Sequence, residues 1–146
     1  MNQDFYKAME FIFQAEGGLS VDKNDPGGTT KYGISQRANP DIDIENLSKD
    51  QAKEIYYRRY WLPSSANIQP YPVCIVHMDC AVNCGIHRAM QLLNDSFGET
   101  PQDQAINYIG LRANFYTELV KKNPKLAVYL RGWLNRLNNL TKFISL

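Results

Sequence analysis

The stretch DFYKAMEFIFQAEGG, Asp4 to Gly18, decides the reading of the fold. Phe5, Met9, Ile12 and Phe13 fall at i, i+4, i+7 and i+8, the stripe of an amphipathic helix rather than the alternation of a strand. Gly17-Gly18 stops that helix. At about 100° per residue, Glu16 lies within about 20° of Phe5 and between Ile12 and Phe13, in the middle of the apolar stripe. A carboxylic acid placed there is expected to be partly desolvated, which favours the protonated form that a general acid needs. The other reading of the position is a side chain at a frayed helix end that turns to water.

Beyond Gly18 the pattern changes. Asp25-Pro26-Gly27-Gly28 is a turn signal, and Thr29 to Ile34 suits a short strand or irregular hairpin. Ser48-Lys49-Asp50-Gln51 has the form of a capping box and opens a helix through about Tyr60, with Ala52, Ile55, Tyr56 and Tyr60 facing inward. Residues 62–73 contain Pro63, Pro70 and Pro72, which lack the N–H a helix interior needs, so they form a connection. A long helix is expected from about Cys74 to Phe97. Thr100-Pro101 starts another to about Lys122. Asn123-Pro124 then begins a short helix, and Gly132-Trp133 leads into a last amphipathic stretch with Leu134, Leu137, Leu140 and Ile144. The expectation is an all-α chain of five to six helices with a short hairpin after the first.

The chain has 146 residues, 44% of them apolar and 21% charged, so one globular domain is expected and disorder is excluded. A formal charge of +1 with dispersed Lys and Arg supplies no field for nucleic acid. No apolar run approaches the roughly 20 residues that span a bilayer. The start, MNQDFYKAMEFIFQ, lacks the apolar core of a secretory signal, and three cysteines between Cys74 and Cys84 are no disulfide framework. Synthesis in a reducing cytosol without a signal peptide, no membrane insertion and a monomer are expected.

Glu16-Gly17-Gly18-Leu19, followed by Asp25-Pro26-Gly27-Gly28 and Thr30-Lys31-Tyr32-Gly33-Ile34, resembles glycoside hydrolase family 108, whose members carry EGGY, DPGG and TxYGI segments. Tyr56 to Trp61 (YYRRYW) is similar to the family's IYxxxYW, Asp79 to Gly85 (DCAVNCG) to its DxAVNxG, and Arg131 to Arg136 (RGWLNR) to its closing GWxxR. Leu19 departs from the pattern, since the family usually shows Tyr or another aromatic there, and the stacking contact to sugar that the resemblance implies at that position is not carried over to this chain. The resemblance implies a lysozyme-like, mainly α fold and an N-acetylmuramidase activity with Glu16 as the essential residue. It also implies a division within one compact unit, a catalytic part over 1–73 and a helical peptidoglycan-binding part over 74–146.

Eight residues separate Glu16 from Asp25 and four separate Asp25 from Thr30, similar to the Glu-Asp-Thr arrangement of phage lysozymes. Glycosidic cleavage needs a proton donor to the leaving oxygen and a second group on the oxocarbenium side, a division for which lysozyme is the worked case. Glu16 would donate, Asp25 would stabilise charge or position water, and the Thr30 hydroxyl would hold that water. The same Asp25 suits a purely structural cap of its turn. Gly27 and Gly28 would let a glycan strand approach the backbone. Tyr32, Tyr60 and Trp61 divide between sugar platforms and core packing. Asp79 and Asn83, four residues apart, either bind acetamido and hydroxyl groups of the glycan or hold their helix in place; Trp133 reads as packing.

Cys74, His77, Cys80, Cys84 and His87 suggest zinc ligands, but His77 and His87 would stand roughly 15 Å apart along a straight helix, too far to share one ion. No metal and no cofactor are expected. The leading function is hydrolysis of the β-1,4 bond between N-acetylmuramic acid and N-acetylglucosamine in bacterial peptidoglycan. A lytic transglycosylase and a non-catalytic peptidoglycan-binding module are the alternatives. Made without a signal, such an enzyme needs a holin or a secretion system to reach the wall, as in phage lysis.

Overall fold

The computed structural model describes residues 1–145. Helix α1, Gln3–Glu16, begins where the Asn2 side chain accepts the Phe5 N–H at 2.9 Å, and it buries Phe5, Ala8, Met9, Phe11 and Ile12. Its last turn closes where the Gly17 N–H meets the Phe13 carbonyl. Phe13 is only partly buried, its ring 5.3 Å from that of Tyr32.

The hairpin region is a small antiparallel sheet of three two-residue strands, β1 Leu19–Ser20, β2 Thr30–Lys31 and β3 Ile34–Ser35, in the order β1-β2-β3. Leu19 pairs with Lys31 and Ser20 with Thr30; on the other edge Thr30 pairs with Ser35 and Lys31 with Ile34. A 3-10 turn, Pro26–Gly28, lies between the first two strands.

Helix α2, Lys49–Tyr56, carries the expected capping box: Ser48 Oγ accepts the Gln51 N–H at 3.1 Å and Gln51 Oε1 accepts the Ser48 N–H at 2.9 Å. Caps of this kind contribute about 1 kcal/mol. The chain continues as a π-helical turn, Tyr57–Trp61, which widens the helix and buries Trp61 while leaving Tyr60 partly open.

Helix α3, Val73–Cys84, is buried at every residue from Val73 to Ala81 and packs against α1. The expected single helix from Cys74 to Phe97 is two. At Gly85 the backbone takes φ +87° and ψ 156°, and α4, Ile86–Asp95, sets off in a new direction. An added Cβ at Gly85 would meet nothing within 4 Å, so the backbone conformation, not space, calls for glycine.

Helix α5, Pro101–Lys122, starts at Thr100, whose hydroxyl accepts the Asp103 N–H at 3.1 Å; it packs on both α3 and α4. A 3-10 turn, Pro124–Leu126, leads into α6, Ala127–Ile144. The junction expected at Gly132 is absent: the helix runs through it, since a helical glycine costs only about 1 kcal/mol against alanine and α6 packs along α5. Leu137, Leu140 and Ile144 are buried as expected, whereas Leu134 is exposed. Residues from Phe5 to Ile144 join one hydrophobic core. Among the described residues no helix is long and apolar enough to cross a membrane.

Candidate active site

Glu16 ends α1 with its side chain 26% exposed, and its Oε1 accepts a hydrogen bond from Arg136 Nη1 on α6 at 2.8 Å. The same guanidinium donates from Nε and Nη2 to Asp79 Oδ1 on α3, at 3.1 and 2.8 Å. Arg136 therefore spans two carboxylates, one in the core and one at the surface. Behind it, the fully buried Arg112 of α5 brings Nη2 to 2.9 Å from Asp79 Oδ2, an ionic contact without hydrogen-bond alignment. Arg112 also donates to the Tyr116 hydroxyl at 3.1 Å, and that hydroxyl donates to Asn83 Oδ1.

Two carboxylates thus face two guanidiniums. Burial is the largest single influence and works against the charge on both arginines, but the groups facing them, Asp79 first and for Arg136 also Glu16, together raise both above the ordinary arginine value. Such a cluster holds position more than it adds stability, because desolvating the charges offsets their attraction.

The carboxylate of Glu16 opens onto a cavity of about 320 Å³ between α1, the sheet and α2. Its other walls include Ser35, Asn39, Arg59, Tyr60 and Val82. The tip of the β2–β3 turn presses on the acid. Gly33, at φ +81°, leaves no room for a side chain: an added Cβ would lie 2.9 Å from Glu16 Cγ and closer still to the Tyr56 hydroxyl. Tyr56 in turn donates to the Tyr32 carbonyl at 2.6 Å, which pins the turn against α2. Burial, and after it the nearby Glu16 charge, raise the Tyr56 phenol above its usual range, so it stays a donor.

The residues singled out from the sequence separate into groups. Glu16 and Tyr60 line the one cavity. Asp25, by contrast, caps the Pro26–Gly28 turn, accepting the Gly27 N–H at 3.0 Å, and pairs with Arg37. The hydrogen bond from Arg37, then that from Gly27, hold its carboxyl below the ordinary aspartate value of 3.8. Asp25, Gly27, Gly28 and Thr30 are not among the residues lining the Glu16 cavity, while Ser35, the strand partner of Thr30, is. Tyr32 takes φ +53° and lines a neighbouring hollow of about 400 Å³ with Phe13 and Lys49.

Two expectations of sugar contact are corrected. Trp61 is 2% exposed, its ring centroid 5.4 Å from that of Phe5, so it packs core and offers no platform. Asp79 is fully buried between Arg112 and Arg136, and so acts on the site through Arg136. Asn83 lines a larger groove, of about 660 Å³, on the other side of Arg136. His77 is a core crosslink, with the Tyr108 hydroxyl 2.8 Å from Nδ1 and the Ser64 carbonyl 2.8 Å from Nε2. His87 stands beyond the Gly85 break, on α4, and no group of three or more His, Cys, Asp or Glu suited to a metal occurs among the described residues.

Arg112 is the residue the sequence reading missed. Its signal was available: with Ala105, Tyr108, Ile109 and Tyr116 it forms the buried stripe of α5, a cation on an apolar face just as Glu16 is an anion on one. Arg136 entered only as the last residue of the Arg131–Arg136 match.

No curated protein matches the chain. A solved structure described as that of Brucella abortus SagA matches with a TM-score of 0.73 at 22% identity, covering 94% of this chain and 91% of that one. At that identity the likeness speaks for the fold. The model of the family described as Glycosyl hydrolase 108 matches residues 9–85, more than half of the chain, including Glu16, the sheet, α2 and α3. The chain belongs to the glycosyl hydrolase 108 family and is a peptidoglycan hydrolase of the muramidase type.

Proposed function

We propose that the protein hydrolyses the β-1,4 bond between N-acetylmuramic acid and N-acetylglucosamine with Glu16 as general acid. The observation that carries this reading is a half-buried carboxylate held through Oε1 by Arg136 at 2.8 Å, at the wall of a cavity also lined by Tyr60 and Arg59. Arg136 takes one oxygen, which leaves Oε2 to face a leaving-group oxygen. In this reading Glu16 protonates the glycosidic oxygen, while Tyr60, Asn83 and Tyr32 contact the glycan and Gly27 and Gly28 admit its backbone.

For the far side of the sugar, Asp25 and Thr30 supply the second carboxylate and the hydroxyl that place a water. The engagement of Asp25 by Arg37 and Gly27 favours a second reading, lytic transglycosylation, which needs one acid/base glutamate and no second carboxylate. The two differ in the product. Hydrolysis leaves a reducing muramic acid end, and intramolecular attack leaves a 1,6-anhydro ring lighter by one water. Mass spectrometry of muropeptides released from purified wall is expected to show reducing ends, and Asp25→Asn to lower the rate; predominantly anhydro products would establish the second reading. Turbidity clearing of bacterial cells separates either enzyme from a non-catalytic wall-binding module.

The catalytic part, 1–73, and the peptidoglycan-binding part, 74–146, act as one unit in this reading, because Glu16 and Tyr60 from the first meet Val82 and Arg136 from the second. The enzyme works as a monomer on the cell wall, reached through a holin-type lesion, as a phage endolysin does, or through a secretion system.

A further inference from the structure

We propose that the groove beside Arg136 binds the short acidic peptide carried by the glycan strand, so that the enzyme reads peptide and sugar together. This inference rests on the reading of the chain as a muramidase. The groove, of about 660 Å³, lies between the end of α1 and one face of α6, a size that takes a small organic ligand. Gly132, Asn135, Asn139 and Lys142 follow one another at three- and four-residue spacing along that face, with Arg136 next to Asn135. They span roughly 15 Å.

The lining has the chemistry of a peptide site. Three carboxamides, Gln14, Asn135 and Asn139, each offer a donor and an acceptor, as a peptide bond does. Lys142 stands at the far end from Gly132, and no carboxylate among the described residues pairs with it. Its ammonium complements a peptide carboxylate. Ala15, Phe11 and Phe143 supply apolar surface for small side chains such as alanine methyls.

A sugar fits this groove less well. Saccharide rings stack best on a broad open aromatic face, and the one indole in the lining, Trp133, is stacked by Tyr116 at 5.1 Å and Tyr129 at 5.8 Å. Continuity with the site is direct: Arg136 lines the groove and holds Glu16, which lines the catalytic cavity. A peptide bonded along α6 therefore fixes its own muramic acid close to the acid.

The test compares the full chain with Lys142→Glu and Asn139→Ala, both exposed positions on α6, on two substrates: glycan strands bearing their peptides, and the same strands stripped of peptide by an amidase. The wild type is expected to show a lower KM on peptide-bearing strands. Each variant is expected to raise that KM about five- to tenfold, the loss of one polar contact, without moving the KM on stripped strands. Gly132→Tyr, whose Cβ would meet nothing within 4 Å, fills the groove and is expected to act in the same direction. Equal wild-type KM values on both substrates, or variants that raise both equally, would overturn the proposal, the second outcome assigning the groove to glycan. Calorimetry with a soluble N-acetylmuramyl tetrapeptide separates the two readings. Binding lost in Lys142→Glu upholds the groove even if neither strand is cleaved, a result that would sink the muramidase reading alone; absence of binding by the wild type overturns the groove.

Discussion

Arg136 on α6 donates to Glu16 at the end of α1 across 120 residues of sequence, with 2.8 Å between Nη1 and Oε1. The proposed acid is therefore oriented only when the last helix has docked on the first. An acid carried on a helix terminus would otherwise sample several rotamers, and proton donation depends on holding one geometry.

Glu16→Gln is the most direct consequence. A carboxamide oxygen still accepts the Arg136 hydrogen bond, so the packing of α1 on α6 survives, while the proton needed by the leaving group is gone. The expected result is a fall in turnover of about 10²–10⁴-fold with an unchanged helical circular-dichroism spectrum and a melting temperature close to wild type. Substantial residual cleavage would remove Glu16 from the mechanism.

Gly33→Ala tests the turn that braces the acid. The substitution is strained twice, by a backbone at φ +81° and by a Cβ that would sit 2.9 Å from Glu16 Cγ. We expect a stability loss of at least about 1–2 kcal/mol in urea unfolding, from the backbone conformation alone. Activity should fall by more than the unfolded fraction explains, because the clash displaces the carboxylate itself.

The first helix, the Ser48 cap, the start of α5 and the placing of Glu16 on an inward stripe were legible because each is written in neighbouring residues. What escaped the sequence depends on distant contacts. Periodicity does not distinguish one helix from two when Gly85 lies between apolar stretches, nor does it show that the end of α6 returns to α1. Gly132 read as a boundary from its identity, yet packing against α5 carries α6 through it. Asp79, whose site reading rested on the family resemblance, and Trp61 were each open between sugar contact and packing, and burial makes one a brace and the other core. Arg112 stood on the α5 stripe by the same logic as Glu16, and went unread because it lies outside the motifs.

His77 gives the protein a pH dependence of stability. Burial lowers its value from 6.5 and outweighs the opposing effect of its bond to Ser64, and the charge of Arg112 adds a smaller lowering. The unfolded chain takes up a proton near pH 6.5 that the folded ring resists, so this contribution is fully present above that pH. It is lost as the pH falls through the lower folded value. Melting temperatures measured from about pH 7.5 down to about pH 5 should decline in the wild type. His77→Gln, destabilised at neutral pH, should show a flatter profile over the same range; parallel profiles would place the acid sensitivity elsewhere.

Asp79 separates bracing from sugar binding. It is the anion between two guanidiniums, with Arg112 fully buried on one side and Arg136 on the other. Asp79→Ala leaves those charges without it, and removing one partner of a buried pair costs about 3–5 kcal/mol. Asp79→Asn keeps an acceptor for Arg136 but weakens its hold, which frees the guanidinium and lets Glu16 move. In that folded variant kcat is expected to fall while KM stays near wild type, the signature of an interaction that matters for the chemical step rather than for binding. A direct contact between Asp79 and the glycan predicts the opposite, a raised KM with kcat preserved. Replacing Arg136 by lysine provides the matching measurement: one ammonium cannot reproduce three N–H bonds to two carboxylates, so kcat should drop there too. If Asp79→Asn and Arg136→Lys both left kcat intact, Glu16 would not depend on this brace.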